Sequence, residues 1–69
     1  MSSIKETLLN ALEMKYKAQM SEAKANIAVY LNNPAGIGEH SEILQAIDEQ
    51  MHKYSEAKEN LEVLLKDFI

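Results

Sequence analysis

The stretch Asn32-Asn33-Pro34-Ala35-Gly36-Ile37-Gly38 decides the fold, because it holds the only proline and both glycines of the chain. Proline cannot continue a helix, and it pushes the residue before it, Asn33, toward an extended conformation. Asparagine tolerates the left-handed position that often closes a helix. The two glycines permit the positive φ that a tight reversal needs. The chain therefore breaks here, and this is its single strong break.

Outward from this point, both arms are rich in Ala, Leu, Glu, Lys, Gln and Met, all good helix formers. The first arm opens with a capping box: Ser3 can accept from the Glu6 N–H while the Glu6 carboxylate reaches back. Glu6 also suits the positive end of the helix dipole. The apolar row that follows reads Leu9, Leu12, Tyr16, Met20, Ala23, Ile27, Leu31. Its spacing of three and four lies close to the natural helical period, so the face stays aligned with little supercoiling. Ala18, Ala25 and Ala28 keep a neighbouring surface small enough for another helix to approach.

The second arm begins near His40 or Ser41, with Glu39 and Glu42 at its positive end. Its apolar row reads Leu44, Ile47, Met51, Tyr54, Lys58, Leu61, Leu65, Phe68. This is a heptad pattern with one lysine in the seam, and Ala57 leaves room for the lysine stem to lie flat. Glu13–Lys17, Glu49–Lys53 and Glu62–Lys66 are acid-before-base pairs four apart, the pattern of exposed helix faces.

The expected architecture is all-α: a single domain over 1–69, with a helix over about 4–32, a turn over about 33–40 and a helix over about 41–67. Each helix is roughly 40 Å long at 1.5 Å per residue. Matched lengths and a short link make them antiparallel neighbours. Counting back through the turn places Glu22 opposite Met51. Two helices cannot cover stripes this wide, and Ile4, Leu8, Ile43, Val63 and Leu64 are expected to stay partly wet. A chain of this size buries only about 60% of its unfolded surface, and no cysteine is present to add a disulfide. The expected remedy is homo-oligomerisation, a dimer forming a four-helix bundle, or docking onto another protein's helices.

Charge narrows the function. The net charge is −4 and all seven basic residues are lysines. Without arginine there is no bidentate fork for phosphates or guanine edges, and an acidic chain lacks the footprint of a nucleic-acid binder. Acids on both helices argue equally against a membrane surface. No apolar run approaches the ~20 residues of a membrane span, and the N-terminus has no apolar core of a signal peptide. The expected location is the cytoplasm.

The segment Asn33-Pro34-Ala35-Gly36-Ile37-Gly38-Glu39-His40, with an acidic residue and Ile43 after it, resembles a turn in small helical-hairpin proteins of tailed phages infecting marine cyanobacteria. The likeness runs from about Tyr30 to Leu61. Those proteins are expected to carry proline where this chain has Ser41, a departure that leaves the helix boundary open by one residue. The resemblance implies a phage accessory or virion protein, in the host cytoplasm or the particle. It supplies no activity.

Few residues point to chemistry. Glu49-Gln50-Met51-His52 is a Glu-x-x-His, the spacing that places two ligands on one helix face in ferritin-like di-iron sites. With Glu22 it makes a possible metal half-site of Glu22, Glu49 and His52, although Met51 rather than these residues occupies the apolar row. Glu39-His40-Ser41-Glu42 reads as a helix N-terminus. Gly36 and Gly38 make no phosphate loop, since no strand precedes them and no lysine follows. Tyr16, Tyr30 and Tyr54 suit a core edge, and Met14, Met20 and Met51 fill gaps or adaptable surfaces. No catalytic residue and no cofactor is expected. The expected function is non-enzymatic protein interaction or assembly, with a phage or host protein as the other possible partner. Its contact residues would be Leu12, Tyr16, Met20, Ile27, Ile47, Met51, Tyr54 and Leu61, with Ile37 and His40 at the turn. A ferritin-like metal-binding hairpin and a small regulator of a host protein are the alternatives.

Overall fold

A computed structural model describes residues 3–32 and 40–69, with the His40 and Ser41 side chains excepted. The described chain is an all-α helical hairpin of α1 (Ile4–Asn32) and α2 (His40–Asp67). The expected turn, with Pro34, Gly36, Ile37 and Gly38, lies outside the described residues. Helix α2 begins at His40, within the expected boundary at His40 or Ser41.

The first turn of α1 is held as its sequence predicts. The Glu6 N–H donates to Ser3 Oγ at 3.1 Å, and Thr7 donates to the Ser3 carbonyl through both its N–H and its hydroxyl at 3.0 Å. At the other end the Asn32 side-chain amide folds back and donates to the Ala28 carbonyl at 2.8 Å. Helix α2 closes with the N–H groups of Phe68 and Ile69 both donating to the Leu64 carbonyl.

The helices run antiparallel along their full length, so that Leu9 and Leu12 share a groove with Leu64 and Phe68. Near the other end the Asn26 side chain reaches Gln50 at 3.2 Å. That bond corrects the counted register. Glu22 does not face Met51, and α2 is displaced by about one helical turn from the expected pairing.

Both seams are also rotated from the expected rows. On α1 the inward row is Leu9, Glu13, Tyr16, Met20, Ala23, Ile27, Tyr30, with Glu13 in place of Leu12 and Tyr30 in place of Leu31. On α2 it is Ile43, Ile47, Gln50, Tyr54, Ala57, Leu61, Leu64. Leu44, Met51, Lys58, Leu65 and Phe68 are exposed. Leu44 is 71% exposed, while Ile43 and Leu64, expected to be wet, are buried. Ile4, Leu8 and Val63 remain exposed. Both observed rows alternate four and three, the 3.5-residue period of a coiled coil.

The physical reason lies in the alanines. Ala23 and Ala57, 1% and 2% exposed, are the most buried side chains. The Asn26–Gln50 register puts Ala23 level with Tyr54, and Ala57 level with Met20. A small residue opposite a large one lets the backbones approach while the layer stays filled. A seam through Lys58 would instead hold a charged group against the partner helix.

The result is long and thin. The Cα extents are 53 × 20 × 12 Å and the radius of gyration is 15.9 Å, against about 11 Å for a compact chain of this length.

Candidate interaction surfaces

Four surfaces surround the seam, and their compositions differ. The first is a groove along one flat side, whose two sections share Tyr16 and Asn60. Its middle is polar, lined by Lys15, Gln19, Glu22, Gln50, Lys53 and Glu56, with a volume of about 550 Å³. Toward the chain termini it continues into an apolar section of about 310 Å³, lined by Leu9, Leu12, Val63, Leu64 and Phe68.

The opposite flat side carries Leu31, Leu44, Met51 and Leu65, all exposed. Lys17, Lys24 and Lys58 occupy the helical positions between them and are also exposed. Lys17 Nζ is held by Glu13 Oε2 at 2.7 Å. Glu13 lies in the seam with its side chain 26% exposed, and the neighbouring ammonium neutralises a carboxylate that would otherwise be costly to desolvate. The other two expected pairs, Glu49–Lys53 and Glu62–Lys66, are not ion pairs among the described residues.

The back of α2 is charged: Glu42, Glu49, Glu56, Glu59, His52 and Lys66 all face solvent. The back of α1 is not. Ala11, Met14, Ala18, Ser21, Ala25 and Ala28 are exposed there, beside the large apolar side chains of Ile4, Leu8 and Val29. The charges that flank this row, Lys15 and Glu22, also line the groove. A helix whose two faces are both poor in charge is normally covered on both.

The expected contact residues separate on this frame. Tyr16, Met20, Ile27, Ile47, Tyr54 and Leu61 are half-buried in the seam and are occupied inside the hairpin. Leu12 and Met51 remain on the outside, on opposite flat sides. Ile37 and the His40 side chain lie outside the described residues. Glu22, Glu49 and His52 are exposed and not gathered: among the described residues no group of three His, Cys, Asp or Glu could hold a metal ion. His52 Nε2 instead lies 3.4 Å from Asp48 Oδ2, four residues earlier on its own helix. No described helix is long and apolar enough to cross a membrane.

The sequence reading missed the polar members of the seam, Glu13, Asn26 and Gln50. The signal was present as the strict four-three alternation starting at Leu9, which runs through Glu13. Comparison with protein-family models, curated proteins and solved structures yields no match to this chain.

Proposed function

We propose that this chain is a small non-enzymatic protein-interaction or assembly module that works by having its bare helix faces covered by other helices. The observation that carries this reading is surface area. The hairpin exposes 5,568 Å², whereas a compact monomer of 7.8 kDa exposes about 4,400 Å² on the usual scaling. Relative to the unfolded chain it buries about half of its surface, less than the ~60% of small domains that stand alone. Among the described residues twelve large apolar side chains are exposed, against four buried hydrophobic residues of which two are alanines. An uncovered apolar surface on this scale marks an interaction site in a small protein. A host or phage location follows only from the resemblance of the turn segment and is part of the proposal.

The test is solution mass by light scattering together with helicity and thermal unfolding, across a wide concentration range. An oligomer, or a monomer that is partly helical and gains structure when another protein is added, supports the reading. A monomer of 7.8 kDa that is fully helical and unfolds cooperatively at a concentration-independent temperature would overturn it.

A further inference from the structure

The geometry points to a second copy of this chain as the occupant of the back of α1, docked antiparallel so that two α1 helices meet along their alanine rows. The inference rests on the interaction reading above and names the partner and the face.

Three of the four surfaces are poor candidates for self-association. Stacking two hairpins through the flat side of Leu44 and Met51 would bring Lys17, Lys24 and Lys58 of each copy into one core. Stacking through the groove side would bury Gln19, Asn26, Lys53 and Asn60. The back of α2 is a row of carboxylates. Burying such groups without partners costs far more than the adjoining apolar contacts return.

The back of α1 has the opposite composition. Ala11, Met14, Ala18, Ser21, Ala25 and Ala28 follow one another at spacings of three and four, with no charge among them. That is a second heptad row, pointing almost directly away from the seam. Its alanines permit close helix approach, and Ile4, Leu8 and Val29, all exposed, add apolar area at its two ends.

The charges decide between a second copy and an unrelated helix. Lys15 and Glu22 lie on the same flank of the row, two turns apart. When two such helices are laid antiparallel about a two-fold axis near Ala18, Lys15 of one meets Glu22 of the other, and the reverse pair forms across the axis. The same register brings Leu8 beside Val29 of the second copy, and Ala11 within about a half-turn of Ala28. The surface is self-complementary in size and in charge, as a two-fold interface must be. On the other flank Lys17 comes level with Lys24 of the second copy, but the Lys17 charge is already held by Glu13. The area agrees: a standard interface removes about 800 Å² from each partner, about two-thirds of the excess surface of the hairpin.

The test is a charge exchange read by light scattering on the full chain. Lys15→Glu and Glu22→Lys each turn two attractions into two repulsions and are expected to weaken the dimer about tenfold or more. Mixing the two variants restores both attractions, so the mixture returns to twice the 7.8 kDa mass. Rescue on mixing marks a two-fold contact through Lys15 and Glu22, and Ala18→Glu then separates the back of α1 from the groove side, which these two residues also line. Both substitutions are at exposed sites, and circular dichroism verifies that the helices persist. Ala18→Glu, at the axis, removes the dimer, while Met51→Glu leaves it intact. A dimer lost with Met51→Glu and indifferent to the α1 variants overturns the inference yet leaves the interaction reading standing. A monomer at every concentration also overturns it, and the stability of that monomer then decides the parent reading.

Discussion

Asn26 and Gln50 meet across the hairpin, the amide of the first donating to the side-chain oxygen of the second at 3.2 Å in a half-buried setting. The bond joins positions that the packing would otherwise fill with aliphatic groups. Asn26→Ala leaves Gln50 without its partner and should cost about 1 kcal/mol. Replacing both residues with leucine should be neutral or stabilising, but it removes the polar contact that fixes the register. Urea unfolding of Asn26→Leu, Gln50→Leu and the double, at one protein concentration, gives the coupling. Additive losses would show that the bond contributes nothing.

The seam assignment is tested by neighbours. Leu64→Ala deletes a side chain only 5% exposed and should cost about 2–5 kcal/mol. Leu65→Ala alters a side chain 43% exposed and should cost well under half of that. Ala57→Leu should destabilise by about 1–3 kcal/mol through overpacking, whereas Lys58→Leu should leave the hairpin nearly unchanged. Thermal melts of the four variants decide it. A reversed order in either pair would restore the row through Leu65 and Lys58.

Glu13 occupies a seam position with its side chain 26% exposed, paired with the exposed Lys17. Glu13→Leu should stabilise the hairpin by about 1 kcal/mol, since an apolar side chain replaces a partly buried ion pair. A shift of the urea midpoint downward would show instead that the Glu13–Lys17 contact is a net contributor.

Ser3 caps α1 through the Glu6 N–H. Ser3→Ala should cost about 1 kcal/mol, and the loss should appear as fraying of the first turn, where the amides of Glu6 and Thr7 exchange faster. Ser3→Asp should retain most of the protection. Equal protection in Ser3→Ala would mean that Thr7 alone secures the turn.

The helices, their capping and their antiparallel pairing were legible because proline, glycine and cap residues act locally. The seam was legible only to within one residue. Leu44, Met51 and Leu65 are as apolar as Ile43, Ala57 and Leu64, so hydrophobicity ranks the wrong row first. What separates the rows is how the other helix fits: Ala57 facing Met20, Ala23 facing Tyr54, and an amide pair at Asn26 and Gln50. Those are properties of two segments together, and a row read on one helix does not contain them. Glu22, Glu49 and His52 are not gathered among the described residues, because Glu49 and His52 sit on the back of α2, turned away from the helix that carries Glu22.

The antiparallel layering also sets an order in time. Tyr30 and Ile47 come level across few intervening residues, while Leu9 and Phe68 are separated by almost the whole chain. Closing a short loop costs less entropy than closing a long one, so the seam zips from the Tyr30 end toward the Leu9 end. Substitutions near Ile27 and Ile47 should therefore slow folding, and those near Leu9 and Leu64 should mainly hasten unfolding. Opening is therefore expected to begin at the end of the hairpin far from the link between its helices, baring the apolar section beside Leu12 and Phe68.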